Sequence, residues 1–316
     1  MEYFMSLNPV ALLRALPGSA AQGMVWGVMA LGVYITFRLL DFADLTVDGS
    51  IATGAAVSVM LIRGGVSPIL SLPLAFLAGM MAGMVTGLLH TALGIPGILA
   101  SILTQISLYS VNLIILGKAN QPVSVDNYPL VMSLRYVTSG TTASKLLFFA
   151  EVILFLLVLV MVLYWYFGTE SGQAVRATGC NPNMARAQGI NTKYITVLAL
   201  MLSNGLVGLS GALYAQFQGA ADVNMGRGAI VIGLAAVIIG EVMFGKFASR
   251  RKFAFAFTLA SVIIGAVIYY IVYQFVLWLK MPSEYMKMLS AIVVAVFLSI
   301  PYLKEKRAQK KGVARS

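Results

Sequence analysis

The chain is a succession of long apolar stretches separated by short polar segments. Six stretches approach or exceed the roughly 20 apolar residues that match the hydrocarbon thickness of a bilayer. They are residues 19–40, 67–89, 96–117, 146–167, 194–217 and 253–276, and three shorter ones are 49–62, 229–245 and 288–303. Because lipid-exposed backbone must satisfy its own hydrogen bonds, the pattern predicts an all-α, polytopic transmembrane helical bundle of about eight to ten spans.

Composition agrees with a membrane protein. Of the 316 residues, 59% are hydrophobic and 10% are charged. Soluble domains are about half apolar and one quarter charged, so a soluble fold is excluded. The amino terminus lacks the features of a removable signal peptide, and the stretch 19–40 is expected to be retained. Cys180 is the single cysteine, so the chain forms no internal disulfide and no cysteine-rich metal site.

The positive charge is concentrated beside the ends of spans. The formal net charge is +11. Lys246, Arg250, Arg251 and Lys252 lie between two apolar stretches, and the tail carries Lys304, Lys306, Arg307, Lys310, Lys311 and Arg315. Basic residues in such places mark the cytoplasmic side of a membrane. The loop 246–252 and a basic tail, 304–316, are therefore predicted to be cytoplasmic, and nucleic acid is not expected as a partner.

The positions of basic residues orient the second half of the chain in the membrane but do not decide the orientation of the first half. The segment from Arg176 to Lys193 would be cytoplasmic, and residues 118–144 and 277–285 would be outside. Simple alternation then places the amino terminus outside, unless the short stretch 49–62 is a broken or re-entrant helix.

A weak two-fold internal repeat relates the halves, with a first copy at about 19–117 and a second at about 195–303. "ADLTVDGSIATGAA" (43–56) and "ADVNMGRGAIVIGLAA" (221–236) share Ala-Asp, a polar turn, a glycine and a small-residue apolar stretch. Corresponding glycine-interrupted segments in the halves of a transporter indicate a central substrate pathway. The residues predicted to line it are Asp41, Asp44, Asp48, Asp222 and Asn224. The alternatives are that small residues serve close helix packing and that the polar ones cap helices.

The segment "GCNPNMARAQGIN" (179–191) is polar and bears helix signals at both ends. Asn181 can cap free amides, Pro182 suits the first helical position, and Gly189 supplies a stop. This predicts a helix of about two turns, preceded by a second short piece from Ser171 to Gly179. Two short, basic, capped helices between spans are typical of a docking surface for a cytoplasmic partner. An ordinary stiff loop is the alternative.

Two segments of the chain resemble a known protein family. The run "GQAVRATGCNPNMARAQGINTKYITVLALMLSNGLVGLSGALYAQFQG" (172–219) is similar to the cytoplasmic loop and following span of ABC importer permeases of the branched-chain amino acid and ribose type. "LGVYITFRLLDFADLTVDGSIATGAAVSV" (31–59) resembles the first span and the following turn of that family. Asp41-Phe42-Ala43-Asp44 departs from the commoner Asn-Phe-Ala-His pattern and is similar to proposed tryptophan and tyrosine importers.

The resemblance implies a role for the polar segment. Residues 1–303 would form the permease domain, and the segment 168–193 would seat a coupling helix in a groove of an ABC ATPase subunit. The residues implied in coupling are Arg176, Asn181, Pro182, Met184, Arg186, Ala187, Gln188 and Gly189. Met184 and Gln188 share a helix face and Arg186 points elsewhere.

The resemblance also implies partners. No Gly-x4-Gly-Lys-Ser/Thr phosphate loop occurs, so the ATPase must be a separate polypeptide. The permease itself would bind no cofactor, because ATP and Mg²⁺ belong to that subunit. The expected partners are the ATPase, an extracytoplasmic substrate-binding protein and a second copy of the chain. They would act in the bacterial cytoplasmic membrane on a small polar solute, an amino acid and within this subgroup an aromatic one.

Two other functions compete with this one. Asp41, Asp44 and Asp48 are spaced like the Mg²⁺-diphosphate motif of membrane prenyltransferases, but the second half offers only Asp222 as a counterpart. An ion- or proton-coupled carrier would need intramembrane ionisable groups, for which Glu151, Glu241 and His90 are the candidates.

Overall fold

The computed structural model describes residues 9–138, 142–248 and 253–278, together with positions 288, 292, 295, 296 and 299. The predicted tail 304–316 and residues 249–252 of the basic loop lie outside the described residues, as does most of the predicted span 288–303. The described chain is almost entirely helical, which confirms the all-α prediction.

Most of the helices follow one another with short connections, and the longest described connection, residues 117–133, contains a short strand. In chain order they are α1 (Pro9–Tyr34), continued by a π-helical turn (Ile35–Leu39), α2 (Val47–Arg63), α3 (Pro68–Thr91), α4 (Gly97–Leu116), α5 (Leu134–Thr138), α6 (Thr142–Gly168), α7 (Glu170–Cys180), α8 (Pro182–Ala187), α9 (Thr192–Gln218), α10 (Ala229–Ala248) and α11 (Ala254–Trp278). Two short strands, β1 (Asn120–Pro122) and β2 (Ala220–Asp222), pair antiparallel as a ribbon.

Six of the described helices are long and apolar enough to cross a membrane, namely α1, α3, α4, α6, α9 and α11. Their bounds agree with the six long predicted stretches to within a few residues, except at the start of α1. That helix begins at Pro9 instead of residue 19, because the run "VALLRAL" before Pro17 continues it. Two shorter helices, α2 and α10, pack among them in the described part of the chain.

Helix α9 lies at the centre of the bundle. It packs against α3, α2 and α1, while α1 also packs against α11 and α10. Of the most apolar stretch of α9, 67% is buried, against 28% in α4 and in α6. Close approach between α2 and α9 depends on small residues, because a Cβ added at Gly54 would collide with the backbone of Gly208. The first half of the chain therefore surrounds a helix that belongs to the second half.

The bundle has two ends, which we name the ribbon face and the α8 face. The ribbon joins the ends of α4 and α9, and Arg63 at the end of α2 donates from Nη1 to Gln121 Oε1 (2.8 Å). Ser19 near the start of α1 donates to Gln274 Oε1 near the end of α11 (2.8 Å), on this same face. Helices α7 and α8 lie at the opposite end, where α9 begins.

Helix α2 is itself continuous, but it begins inside the bundle, because Asp44, which lies just before it, bonds to Asn204 in the middle of α9, so residues 40–63 combine an irregular segment with a short helix. Helix α2 runs from near the end of α1 to the ribbon face, and its glycines are tolerated because they press against neighbouring helices. The start of α1 thus lies on the ribbon face. The irregular backbone is found in the linkers 40–46 and 223–228, which precede α2 and α10.

Candidate functional site

The α7–α8 segment is built from local capping interactions. Asn181 adopts an extended conformation between the two helices (φ −158°), and its Oδ1 accepts hydrogen bonds from Asn183 N (3.1 Å) and Met184 N (3.0 Å). Pro182 occupies the first turn of α8, and Gly189 follows its end with φ +84°. The cap, proline and glycine thus occupy the positions expected from the sequence.

The outer surface of α8 is exposed. Only Ala185 turns inward, at 3% exposure, whereas Met184 is 62% exposed. Ala187, Gln188 and Arg186 are exposed as well. The guanidinium of Arg186 lies along its own helix, with Nε donating to Pro182 O (3.3 Å) and Nη2 to Asn183 Oδ1 (3.1 Å). These two bonds hold the Arg186 guanidinium against α8, and its charge stays at the surface.

Arg176 differs from the other residues of the predicted coupling set. Its guanidinium carbon lies 5.0 Å from the centroid of the Phe255 ring, at the start of α11. A cation–π contact of this kind contributes about 0.5–2 kcal/mol. Arg176 therefore fastens α7 to the bundle, which is a packing role that the sequence pattern did not indicate.

Helix α7 also touches the end of α1. A Cβ at Gly179 would collide with the carbonyl oxygen of Leu39, so the two backbones meet there directly. The π-helical turn widens the helix, with Leu40 N bonded to Ile35 O (3.0 Å) and Phe42 N to Thr36 O (2.9 Å). Asp41 follows in the left-handed region (φ +56°) and is exposed. The α7–α8 segment is thus in contact with the linker that carries the predicted pathway aspartates.

Asp44 is buried, at 1% exposure. Its Oδ1 accepts from Thr46 N (2.9 Å) and its Oδ2 from Asn204 Nδ2 (2.7 Å). Asn204 Oδ1 in turn accepts from Ser50 Oγ (2.6 Å). Asp44 thus joins the start of α2 to the middle of α9.

Asp48 caps a helix of the other half of the chain. Its Oδ2 accepts from Gly228 N (2.9 Å) and its Oδ1 from Ile230 N (2.9 Å), at the amino-terminal end of α10. A carboxylate stabilises this end because the free amides and the helix dipole both favour negative charge. The two segments that the internal repeat relates are therefore in contact.

Asp222 and Asn224 lie at a different place. Asp222 Oδ1 accepts from Asn224 N (2.7 Å). Both residues line a cavity of about 390 Å³ on the ribbon face, beside Tyr214. The five predicted pathway residues thus fall in three places: the exposed linker, the buried α2–α9 contact with the adjoining α10 cap, and the ribbon face.

A second cavity was not predicted from the sequence. It has a volume of about 320 Å³ and lies between α2, α4 and the linker 223–228. Its polar lining is Asp48, Gln105, Tyr109, Ser110, Asn112 and Arg227. The sequence feature that indicates this cavity is the polar residues of α4, because Gln105 and Asn112 are seven residues apart and share a helix face.

The candidates for the competing functions were Asp41, Asp44 and Asp48 for Mg²⁺ and Glu151, Glu241 and His90 for ion coupling, of which Glu151 is exposed on α6. Among the described residues, no three His, Cys, Asp or Glu side chains could hold a metal ion together. Glu241 pairs with Arg38 at 2.9 Å, and His90 Nδ1 bonds to Ile95 O at 2.8 Å. Both side chains therefore have ordinary structural partners.

A bundle of apolar helices, with polar segments of its two halves meeting inside it, defines a multi-pass membrane transport protein. The family model described as "Branched-chain amino acid transport system / permease component" matches residues 16–298, and the chain belongs to this family. It is a transporter component and not an enzyme.

Three relatives illustrate the similarity. The "Tyrosine transport system permease protein" of Clostridioides difficile is 38% identical over 88% of each chain. The "Uncharacterized protein RP368" of Rickettsia prowazekii is 31% identical over 88% of this chain and 94% of its own. The "Inner membrane ABC transporter permease protein YjfF" of Escherichia coli is 30% identical over 69% of this chain and 64% of its own. No solved structure matches the chain at a significant level.

Proposed function

We propose that the chain is the permease subunit of an ABC importer that moves an aromatic amino acid across the bacterial cytoplasmic membrane. A separate ATPase would drive transport, an extracytoplasmic binding protein would deliver the solute, and two copies of the chain would form the channel. The cargo is proposed from the relative whose name specifies tyrosine transport, at 38% identity.

The observation that carries the proposal is the α7–α8 segment. A helix as short as α8 is not stable alone in water. Here Asn181 caps it, Ala185 anchors it, and Arg176 fastens the preceding helix to α11. This construction presents Met184, Ala187 and Gln188 outward on a fixed base, which is what seating in an ATPase groove requires.

The polar wall of α4 supports a second copy of the chain. Only 28% of the apolar stretch of α4 is buried, and Gln105, Tyr109 and Ser110 line the cavity on its side. Polar side chains at membrane depth face a protein partner or a water-filled path in preference to lipid. A second protomer covering this wall would satisfy that requirement.

The proposal is tested by purifying the complex through a tag on the ATPase and measuring how much permease is recovered. Arg186→Glu reverses the charge of α8, and Gly189→Pro is incompatible with φ +84°. We expect both variants to lower recovery and to lower the stimulation of ATP hydrolysis by loaded binding protein. Arg14→Glu is the matched control, because Arg14 is an exposed arginine at the far end of the bundle.

Two results would contradict the proposal. Unchanged recovery for both α8 variants would make the segment an ordinary loop. Uptake of L-tyrosine into proteoliposomes that follows an ion gradient without ATP would instead identify an ion-coupled carrier.

A further inference from the structure

The cavity between α2, α4 and the linker 223–228 contains charged and polar groups whose bonding is incomplete. Asn112 is 1% exposed; its Nδ2 donates to Gly49 O (3.3 Å), and its Oδ1 has no partner among the described residues. Leaving a buried acceptor unbonded costs about 1–3 kcal/mol. Asn112 Oδ1 in the cavity wall is therefore an acceptor that lacks a hydrogen-bond donor.

The lining of the cavity also includes a cation, Arg227. Arg227 is exposed, and no carboxylate in the described part of the chain forms an ion pair with it. In particular, Arg227 and Asp48 line the same cavity without pairing with each other. The two Asp48 oxygens accept backbone amides at the start of α10, including those of Gly228 and Ile230, and retain acceptor capacity. The cavity thus presents a guanidinium on one part of its wall and acceptor oxygens on another.

We infer that this cavity is a binding site for an α-amino acid within each protomer, an inference that rests on the proposed function and names a site for its solute. The ligand carboxylate binds the guanidinium of Arg227, a pairing that is often bidentate. The ligand ammonium donates to Asn112 Oδ1 and to Asp48. Tyr109 and Ile106, which also line the cavity, contact the ligand side chain.

The size and chemistry of the cavity favour a zwitterion over other small solutes. Its volume of about 320 Å³ is at the lower end of the range for ligand pockets, which suits one small molecule. A simple anion would leave Asn112 without a donor, and a simple amine would leave Arg227 without a counter-ion. A neutral sugar would satisfy hydrogen bonds but would leave the guanidinium of Arg227 without a counter-ion.

Three probes test separately whether the cavity recognises the carboxylate and the ammonium of the ligand. Isothermal titration calorimetry is performed on the full-length permease in lipid nanodiscs, without ATPase or binding protein. The probes are L-tyrosine, tyramine, which lacks the carboxylate, and 3-(4-hydroxyphenyl)propionate, which lacks the ammonium. We expect the wild-type chain to bind L-tyrosine at least about tenfold more tightly than either analogue, since hydrogen bonds to charged groups contribute most.

Two substitutions in the cavity should each weaken the binding of a different pair of probes. Arg227→Gln should weaken binding of L-tyrosine and of the propionate at least about tenfold and leave tyramine unchanged. Asn112→Leu should weaken L-tyrosine and tyramine and leave the propionate unchanged. Arg135→Gln is the control, because Arg135 pairs with Asp126 away from the cavity, and it should change none of the three affinities.

The inference is overturned if the wild-type chain does not bind L-tyrosine, if it binds all three probes equally, or if Arg227→Gln weakens all three alike. ATP-driven uptake by the complete complex is measured in parallel. Uptake of L-tyrosine without binding to the permease rejects the site and leaves the proposed function intact. Binding without ATP-driven uptake rejects the proposed function and supports the site.

Discussion

Replacing Asp44 by Asn tests whether this carboxylate serves structure or transport. Asp44 accepts hydrogen bonds from Thr46 N and Asn204 Nδ2 in a fully buried place. An introduced amide can keep the first bond through its oxygen. Its NH₂ group would then face Asn204 Nδ2, so that two donors oppose each other.

Asn204 cannot turn over to relieve the conflict. Its Oδ1 accepts from Ser50 Oγ at 2.6 Å, and its Nδ2 also donates to Leu200 O at 3.0 Å. Reversing the amide would set Asn204 Oδ1 against the carbonyl oxygen of Leu200 and break that bond, although Ser50 Oγ could turn to accept from Nδ2. One buried hydrogen bond to a charged group is therefore lost, which predicts a destabilisation of about 1–3 kcal/mol.

The assay is fluorescence-detected size-exclusion chromatography after heating, combined with uptake per assembled complex. We expect Asp44→Asn to lower both the midpoint temperature and the amount of assembled permease, while each complex that does assemble transports normally. Asp41→Asn, at an exposed position of the same linker, should change neither quantity. If Asp44→Asn melts like the wild-type chain and yet transports poorly, Asp44 acts in the pathway, as its sequence position predicts, and its structural role is contradicted.

Three further predictions address helix caps, packing and orientation. Asp48→Ala should remove the cap of α10 and destabilise the chain by about 0.5–2 kcal/mol, measured by the same heating assay, and wild-type stability would contradict the capping role. Gly179→Val should reduce the folded permease, because its side chain would collide with Leu39, whereas Cys180→Ser beside it should not. In the wild-type chain, exposed Cys180 should react with an impermeant maleimide only after cells are permeabilised, and labelling of intact cells would invert the orientation.

The sequence predicts those parts of the fold that depend on neighbouring residues. The bounds of α8 follow from Asn181, Pro182 and Gly189, because capping bonds join residues two or three positions apart. The long spans follow from apolar length alone. For this reason the predicted bounds of the α7–α8 segment and of the long helices lie within a few residues of the observed ones, except at the start of α1.

Contacts between distant parts of the chain could not be predicted in the same way. Asp48 meets Gly228 and Ile230, which lie 180 and 182 residues later. Nothing local distinguishes a carboxylate that caps its own helix from one that caps a helix of the other half. The α4 cavity was missed for the same reason, because Asn112 and Arg227 come together only when the linker 223–228 returns into the bundle.

The central position of α9 has a consequence for how the protein is made. Asn204 follows its partner Asp44 by 160 residues, which a ribosome working at roughly 5–20 residues per second adds in about 8–32 seconds. During that interval the nascent helices α1 to α4 are in the membrane without the helix around which they pack, and Asp44 and Ser50 lack their bonding partner. A chain that stops before α9 is therefore an unfinished bundle with unbonded polar groups in lipid, which membrane proteases can recognise, and not half of a transporter.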